Sequence, residues 1–121
     1  MKCRIILELL AILFFTGCYN REQISRLDEA EALIQNKPDS ALTILQQLKS
    51  EGSQAEQARY ALLYSEALDK NHIKATNDSL IRRAWEYYKH HPKDLRRQCK
   101  TLYYWGKVKL RAGDKPGALR L

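Results

Sequence analysis

Residues 24–48, ISRLDEAEALIQNKPDSALTILQQL, decide how the rest of the chain is read. Ile24, Leu27, Ala30 and Ile34 recur at steps of three and four, as do Ala41, Ile44, Leu45 and Leu48, and that spacing marks one face of a helix. Asn36-Lys37-Pro38-Asp39 interrupts the pattern, because Asn closes a helix in the left-handed region and proline cannot continue one. Asp39 or Ser40 stands where it can cap the next start. The stretch therefore predicts a helix-turn-helix hairpin, about 23–35 and about 39–50.

Toward the carboxyl end the same alternation continues. Ser50-Glu51-Gly52-Ser53 breaks the chain, and a helix is expected over about 55–69, packing through Ala58, Ala61, Leu62, Tyr64 or Ser65, and Leu68. Lys70 to Asn77 reads as a longer loop, with Asn77 or Asp78 capping a helix from about 79 to 90 that His91-Pro92 closes. Leu95 to Arg111 is the next helix, stopped by Ala112-Gly113-Asp114. A last helix starts near Pro116 with Asp114 as its cap and is too short to be stable alone. No strand pattern interrupts this series, so the expected fold class is all-α.

Three helix pairs in succession point to repeats. Leu102, Trp105, Gly106, Gly113, Asp114 and Ala118 resemble the pattern of the tetratricopeptide repeat (TPR), with Gly106 read as a site of close helix approach and Ala118 as its small counterpart. The same register places Ala41, Leu45 and Leu48 on the second helix of hairpin one, and Tyr60, Leu63, Tyr64 and Ala67 on the first helix of hairpin two. Leu27-Asp28-Glu29-Ala30-Glu31-Ala32-Leu33, Lys37-Pro38-Asp39-Ser40-Ala41-Leu42, Arg59-Tyr60-Ala61-Leu62-Leu63 and Asn77-Asp78-Ser79-Leu80-Ile81 look like a family of TPR lipoproteins typical of Bacteroidetes. That resemblance implies a TPR-like α-solenoid of about two and a half antiparallel hairpins, over 23–50, 55–92 and 94–121. Members are generally longer, so the resemblance also implies a truncated chain.

The amino end adds an address. Lys2 and Arg4 precede an apolar run from Ile5 to Phe15, interrupted only by Glu8, and small residues Thr16 and Gly17 follow. A helix of about eleven residues is too short for a bilayer span, which needs about 20. The order of a charged start, a short apolar run and small residues is that of a secretory signal. Phe15-Thr16-Gly17-Cys18 resembles the lipobox of bacterial lipoproteins. The expected division is thus a signal peptide over 1–17, a tether over 18–22 and helical repeats over 23–121, with a covalent lipid on Cys18 as the chain's only cofactor-like group. A buried amino-terminal helix and a plain secreted protein are the other readings. Cys3 falls in the leader, so no disulfide framework forms within one mature chain, and Cys99 reads as a small buried apolar residue or a reactive thiol.

Charge narrows the function. From Cys18 to Leu80 there are 7 Lys/Arg against 10 Asp/Glu (−3), and from Ile81 to Leu121 there are 12 against 3 (+9). Lys100, Tyr103, Lys107 and Arg111 fall in one stripe at 100° per residue and form the candidate partner-binding face. A basic groove with one aromatic suits an acidic peptide or a phosphate-rich surface; a solvated face, or one covered by a further repeat, is the alternative. Export argues against nucleic acid. His72, His90, His91 and Cys99 lack metal-ligand spacing, no serine carries a nucleophile motif, and there is no glycine-rich phosphate loop. The expectation is a non-enzymatic interaction scaffold held in the cell or outer membrane by its lipid, facing the periplasm. Its partner is an unknown envelope protein or peptide, and no small-molecule substrate or metal is inferred. The alternative is the sensory or regulatory input region of a longer signalling protein.

Overall fold

Pro38 begins a helix rather than separating two. In the computed structural model, which describes residues 2–75, 77–113 and 115–121, and their side chains except at 12–20, 115 and 116, Pro38 is the first residue of α2. Its fixed φ suits that position, where a backbone N–H would lack a partner anyway. Lys37, not Asp39 or Ser40, occupies the cap position and makes no side-chain cap. Asn36 does not take the left-handed conformation either. A bond from Lys37 N to Leu33 O at 2.8 Å closes the preceding helix instead.

The order is α1 (Lys2–Leu33), α2 (Pro38–Gln47), α3 (Gln54–Lys70), α4 (Ser79–Tyr88), α5 (Leu95–Arg111) and α6 (Lys115–Leu119), all helical as expected. The first helix is one unbroken element that runs through positions 18–22. From its amino end the first buried side chain among the described residues is Gln23, whose Nε2 donates to the carbonyls of Lys49 (3.0 Å) and Glu51 (2.9 Å). The α2–α3 connection is thereby held against α1. Ser53 caps α3 by accepting from Glu56 N at 3.2 Å, and Asp94 caps α5 by accepting from Arg97 N at 3.3 Å. Asn77 organises the start of α4, its Oδ1 accepting from the backbone and hydroxyl of Ser79.

Each helix packs on its successor. The third also meets α1 and α5, while α2 and α4 make no comparable contact among the described residues. The core lies in two layers that share α3. Leu27 and Ala30 of α1, Ile34 just after it, and Ala41, Leu42, Ile44 and Leu45 of α2 enclose Leu63 and Ala67. On the other side Ala58, Ala61 and Leu62 meet Ile81, Ala84, Tyr88 and Tyr104. Two sets of apolar positions read on one helix thus belong to two different layers.

The end of α3 carries a strained residue. His72 has φ +59°, the only positive value among described non-glycine residues. Its N–H bonds Asp69 O, and Ile73 N bonds Leu68 O at 2.9 Å, the pair of bonds that ends a helix in a left-handed turn. A side chain there costs about 1–2 kcal/mol, whereas glycine adds unfolded-state freedom worth about 0.4–1 kcal/mol. His72→Gly is therefore expected to stabilise the chain by about 0.5–1 kcal/mol, read as a rise in the urea midpoint with unchanged slope. A lower midpoint would show that the imidazole itself supports the loop.

Candidate interaction surface

The odd-numbered helices carry a belt of ion pairs where they face one another. Arg59 of α3 takes Asp28 (2.6 Å) and Glu31 of α1, and Glu31 in turn receives Arg97 of α5 at 3.4 Å. Further along, Glu66 of α3 accepts from Lys100 Nζ at 2.9 Å and from Gln35 Nε2 at 3.1 Å. Next comes Asp69, which accepts from Lys107 Nζ at 2.7 Å and from Arg111. Helix geometry explains the register: Glu66 and Asp69 are three residues apart, and Lys100, Lys107 and Arg111 follow at steps of seven and four, so each set lines one face.

Burial separates these pairs in weight. The Glu66 side chain is 1% exposed, while that of Lys100 is 27% exposed. Burial holds the Tyr104 phenol above the ordinary value, as it pushes that of Tyr88 up to about 12. Asp69 is shaped by opposing effects. Burial alone would raise its carboxyl, but the hydrogen bonds from Lys107 and Arg111 outweigh it and hold the group below the usual range. The bond to Asp69 also raises Lys107. Burial opposes the Arg59 charge, and Glu31 and Asp28 more than offset it.

The sign of the Asp69 shift sets a pH dependence. A carboxyl with a depressed folded value contributes its full stability above the ordinary carboxylate range and loses it as pH falls through that range and below. Asp69→Asn is expected to cost about 1 kcal/mol at neutral pH and to make the acid limb of thermal stability shallower. A variant whose acid limb matches the wild type would remove Asp69 from the account.

All four residues of the expected basic stripe lie on one side of α5, with a difference in state. Lys100, Lys107 and Arg111 are each bound to a carboxylate of α3, so the stripe is paired rather than bare. Tyr103 is 59% exposed, with Lys107 Nζ 5.2 Å from its ring centre. Glu66, Asp69 and Arg59 were not legible as part of the surface. Charge was counted along the chain in halves, whereas the pairing runs between helices about thirty residues apart. The three-residue step from Glu66 to Asp69, set beside the steps of α5, was the signal that could have shown it.

Of the packing residues, Ala41 and Leu63 are buried, and Tyr60 is half-buried with its hydroxyl donating to Leu45 O at 3.2 Å. Leu102 and Ala118 are half-buried. Trp105 leans on Trp85 (6.4 Å between rings) and donates Nε1–H to Asp78 at 2.9 Å. At Gly106, where a close helix approach was expected, an added methyl would meet Leu121 Cδ1 at 3.9 Å among the described residues, an ordinary contact distance, and α6 is a bare turn and a half long. Cys99, expected in the core, is exposed. The buried side of α5 runs through Thr101, Tyr104 and Val108, and two residues back from Thr101 lies about 200° round the helix.

The side chain of Cys18 and the whole of Asp114 lie outside the described residues. Among the described residues there is no cluster of metal-ligating side chains, and no helix is long and apolar enough to cross a membrane. Comparison with known families, curated proteins and solved structures finds no match.

Proposed function

We propose that the chain is a non-catalytic interaction scaffold of the bacterial cell envelope, lipid-anchored through Cys18 and built as a TPR-like α-solenoid. The observation that carries this reading is the neighbour relation of the helices. Odd-numbered helices stand side by side while α2 and α4 stand apart, the arrangement of hairpins stacked along one axis. Such an array offers a continuous face made of its odd helices, and here that face carries exchangeable ion pairs and the open ring of Tyr103. An acidic peptide from a partner protein would bind by taking over Lys107 and Arg111 from Asp69. The lipid supplies position, since its buried methylenes each contribute about 0.8 kcal/mol to membrane binding.

Two readouts test the proposal. Radiolabelled palmitate fed to an expressing bacterium is expected to label the full chain and bring it to the membrane fraction, with both lost in Cys18→Ala. Retained label in that variant would overturn the anchor. Crosslinking in the envelope is expected to capture one protein, lost on Lys107→Glu with Arg111→Glu. Capture that survives the double reversal would overturn the groove.

A further inference from the structure

Between the end of α3 at Lys70 and the start of α4 at Ser79 lies a connection longer than a tight turn. Ile73, Lys74 and Ala75 stand off from the helices, and the space left is a cavity of about 230 Å³. Its walls are apolar, with Leu68 of α3, Leu80 and Ile81 of α4, and Tyr104 and Val108 of α5. Its polar lining comes from Ser65 and Asp69 of α3, Lys74 and Asn77 of the connection and Arg111 of α5, and the Ser65 hydroxyl donates to Ala61 O. Asp69 is its one carboxylate, and both its oxygens are already taken by Lys107 and Arg111. Lys74 has no hydrogen-bond or ion-pair partner among the described residues. The Asn77 carbonyl oxygen is spent on Ser79, which leaves its amide N–H₂ to give. The unspent groups are thus donors and cations: the Lys74 ammonium, the Asn77 amide and the remaining guanidinium hydrogens of Arg111.

We propose that this cavity binds a small organic acid, an apolar body bearing a single carboxylate. The apolar walls would take the body and Lys74, with Asn77 and Arg111 beside it, the carboxylate. An anion suits the site because the exposed Lys74 ammonium and Asn77 amide at its mouth can add charge-assisted hydrogen bonds to a carboxylate, which an uncharged or cationic head would not receive. The volume limits the body, lying below the roughly 300–1,000 Å³ of sites for drug-sized ligands. A ring with a short side chain, or a short acyl chain, fits that bound. The site is distinct from the ion-pair belt apart from the shared Asp69 and Arg111.

Titration calorimetry on the full chain tests this with three probes of one shape: 3-phenylpropionate, 3-phenylpropanamide and 3-phenylpropylamine. The acid is expected to bind saturably and at least about tenfold more tightly than the amide, the difference one charge-assisted hydrogen bond makes. Lys74→Glu is expected to remove that preference without moving the thermal midpoint. Ala75→Phe, which fills the cavity from the loop side, is expected to abolish binding, and Val108→Phe does the same from the helix side should the loop variant rearrange. Equal binding of acid and amide, or acid binding that persists in Lys74→Glu and in both filled variants, would overturn the proposal. So would saturable binding of an acetylated leucine-ended peptide where the small acid fails, an outcome that assigns the cavity to a protein partner's side chain.

Discussion

Lys100→Met is expected to lower the unfolding free energy by about 3 kcal/mol, a large part of the about 5–15 kcal/mol that holds a small domain together. The effect comes from what the substitution leaves behind. Glu66 is 1% exposed, and its two carboxylate oxygens accept from Lys100 and Gln35. Methionine keeps most of the aliphatic stem but removes the one cation ion-paired to Glu66 among the described residues, leaving that buried carboxylate without its charge partner. Adding Glu66→Gln removes that charge and still offers an oxygen to Gln35, so the double variant is expected to recover to within about 1 kcal/mol of the wild type. Urea unfolding followed by circular dichroism measures all three. A loss below about 1 kcal/mol in Lys100→Met would mean that water reaches Glu66 and that the pair behaves as a surface one.

The second large effect is expected from Leu63→Ala, at about 2–5 kcal/mol, the range for emptying a well-packed leucine site. Leu63 is buried in the layer formed with α1 and α2, whereas its neighbour Leu62 faces the layer formed with α4 and α5. Both tryptophans, Trp85 and Trp105, lie on the Leu62 side. Because α3 is common to the two layers, loss of the first should not leave the second standing. Tryptophan fluorescence and far-ultraviolet circular dichroism are therefore expected to report one shared transition in Leu63→Ala. A fluorescence transition that stays at its wild-type midpoint while the dichroism shifts would show that the layers unfold separately, as stacked repeats do when the coupling between them is weak.

The hairpins were legible because their signals are local. Steps of three and four among apolar residues, with Gly52, Pro92 and Gly113 between them, place α3 to α5 within a residue or two of their observed ends, while α2 ends at Gln47, three residues before the expected 50. The double use of α3 was present as two competing sets of packing residues: Ala58, Ala61 and Leu62 of one and Leu63 and Ala67 of the other are buried in different layers, while Tyr60, Tyr64 and Leu68 are half-buried. Less local properties did not carry over. Cys99 is polar enough and small enough for either face, so only the angle to Thr101 settles its exposure. Gly106 reads as a contact point only if a long helix lies across it, and α6 is short. The state of the basic stripe depended on carboxylates contributed by another helix, and no spacing within α5 could reveal them. The left-handed turn fell on His72, a residue with no special licence for it, because the bonds at Asp69 and Leu68 ended the helix there.

Gln23 gives α1 a boundary that its unbroken backbone does not show. Ahead of it, the described side chains from Lys2 to Ala11, and those of Arg21 and Glu22, are exposed, and none of these described side chains joins a packing layer. Behind it, Leu27, Ala30 and Ile34 are sealed. Helical turns with no tertiary support open and close far more readily than packed ones. The two bonds from Gln23 to the carbonyls of Lys49 and Glu51 therefore act as a stop, where unwinding that starts at the amino end must also release the α2–α3 connection to go further. A single continuous helix thus holds two lifetimes, a short one for backbone amides before residue 23 in exchange with solvent deuterium, and a long one after it.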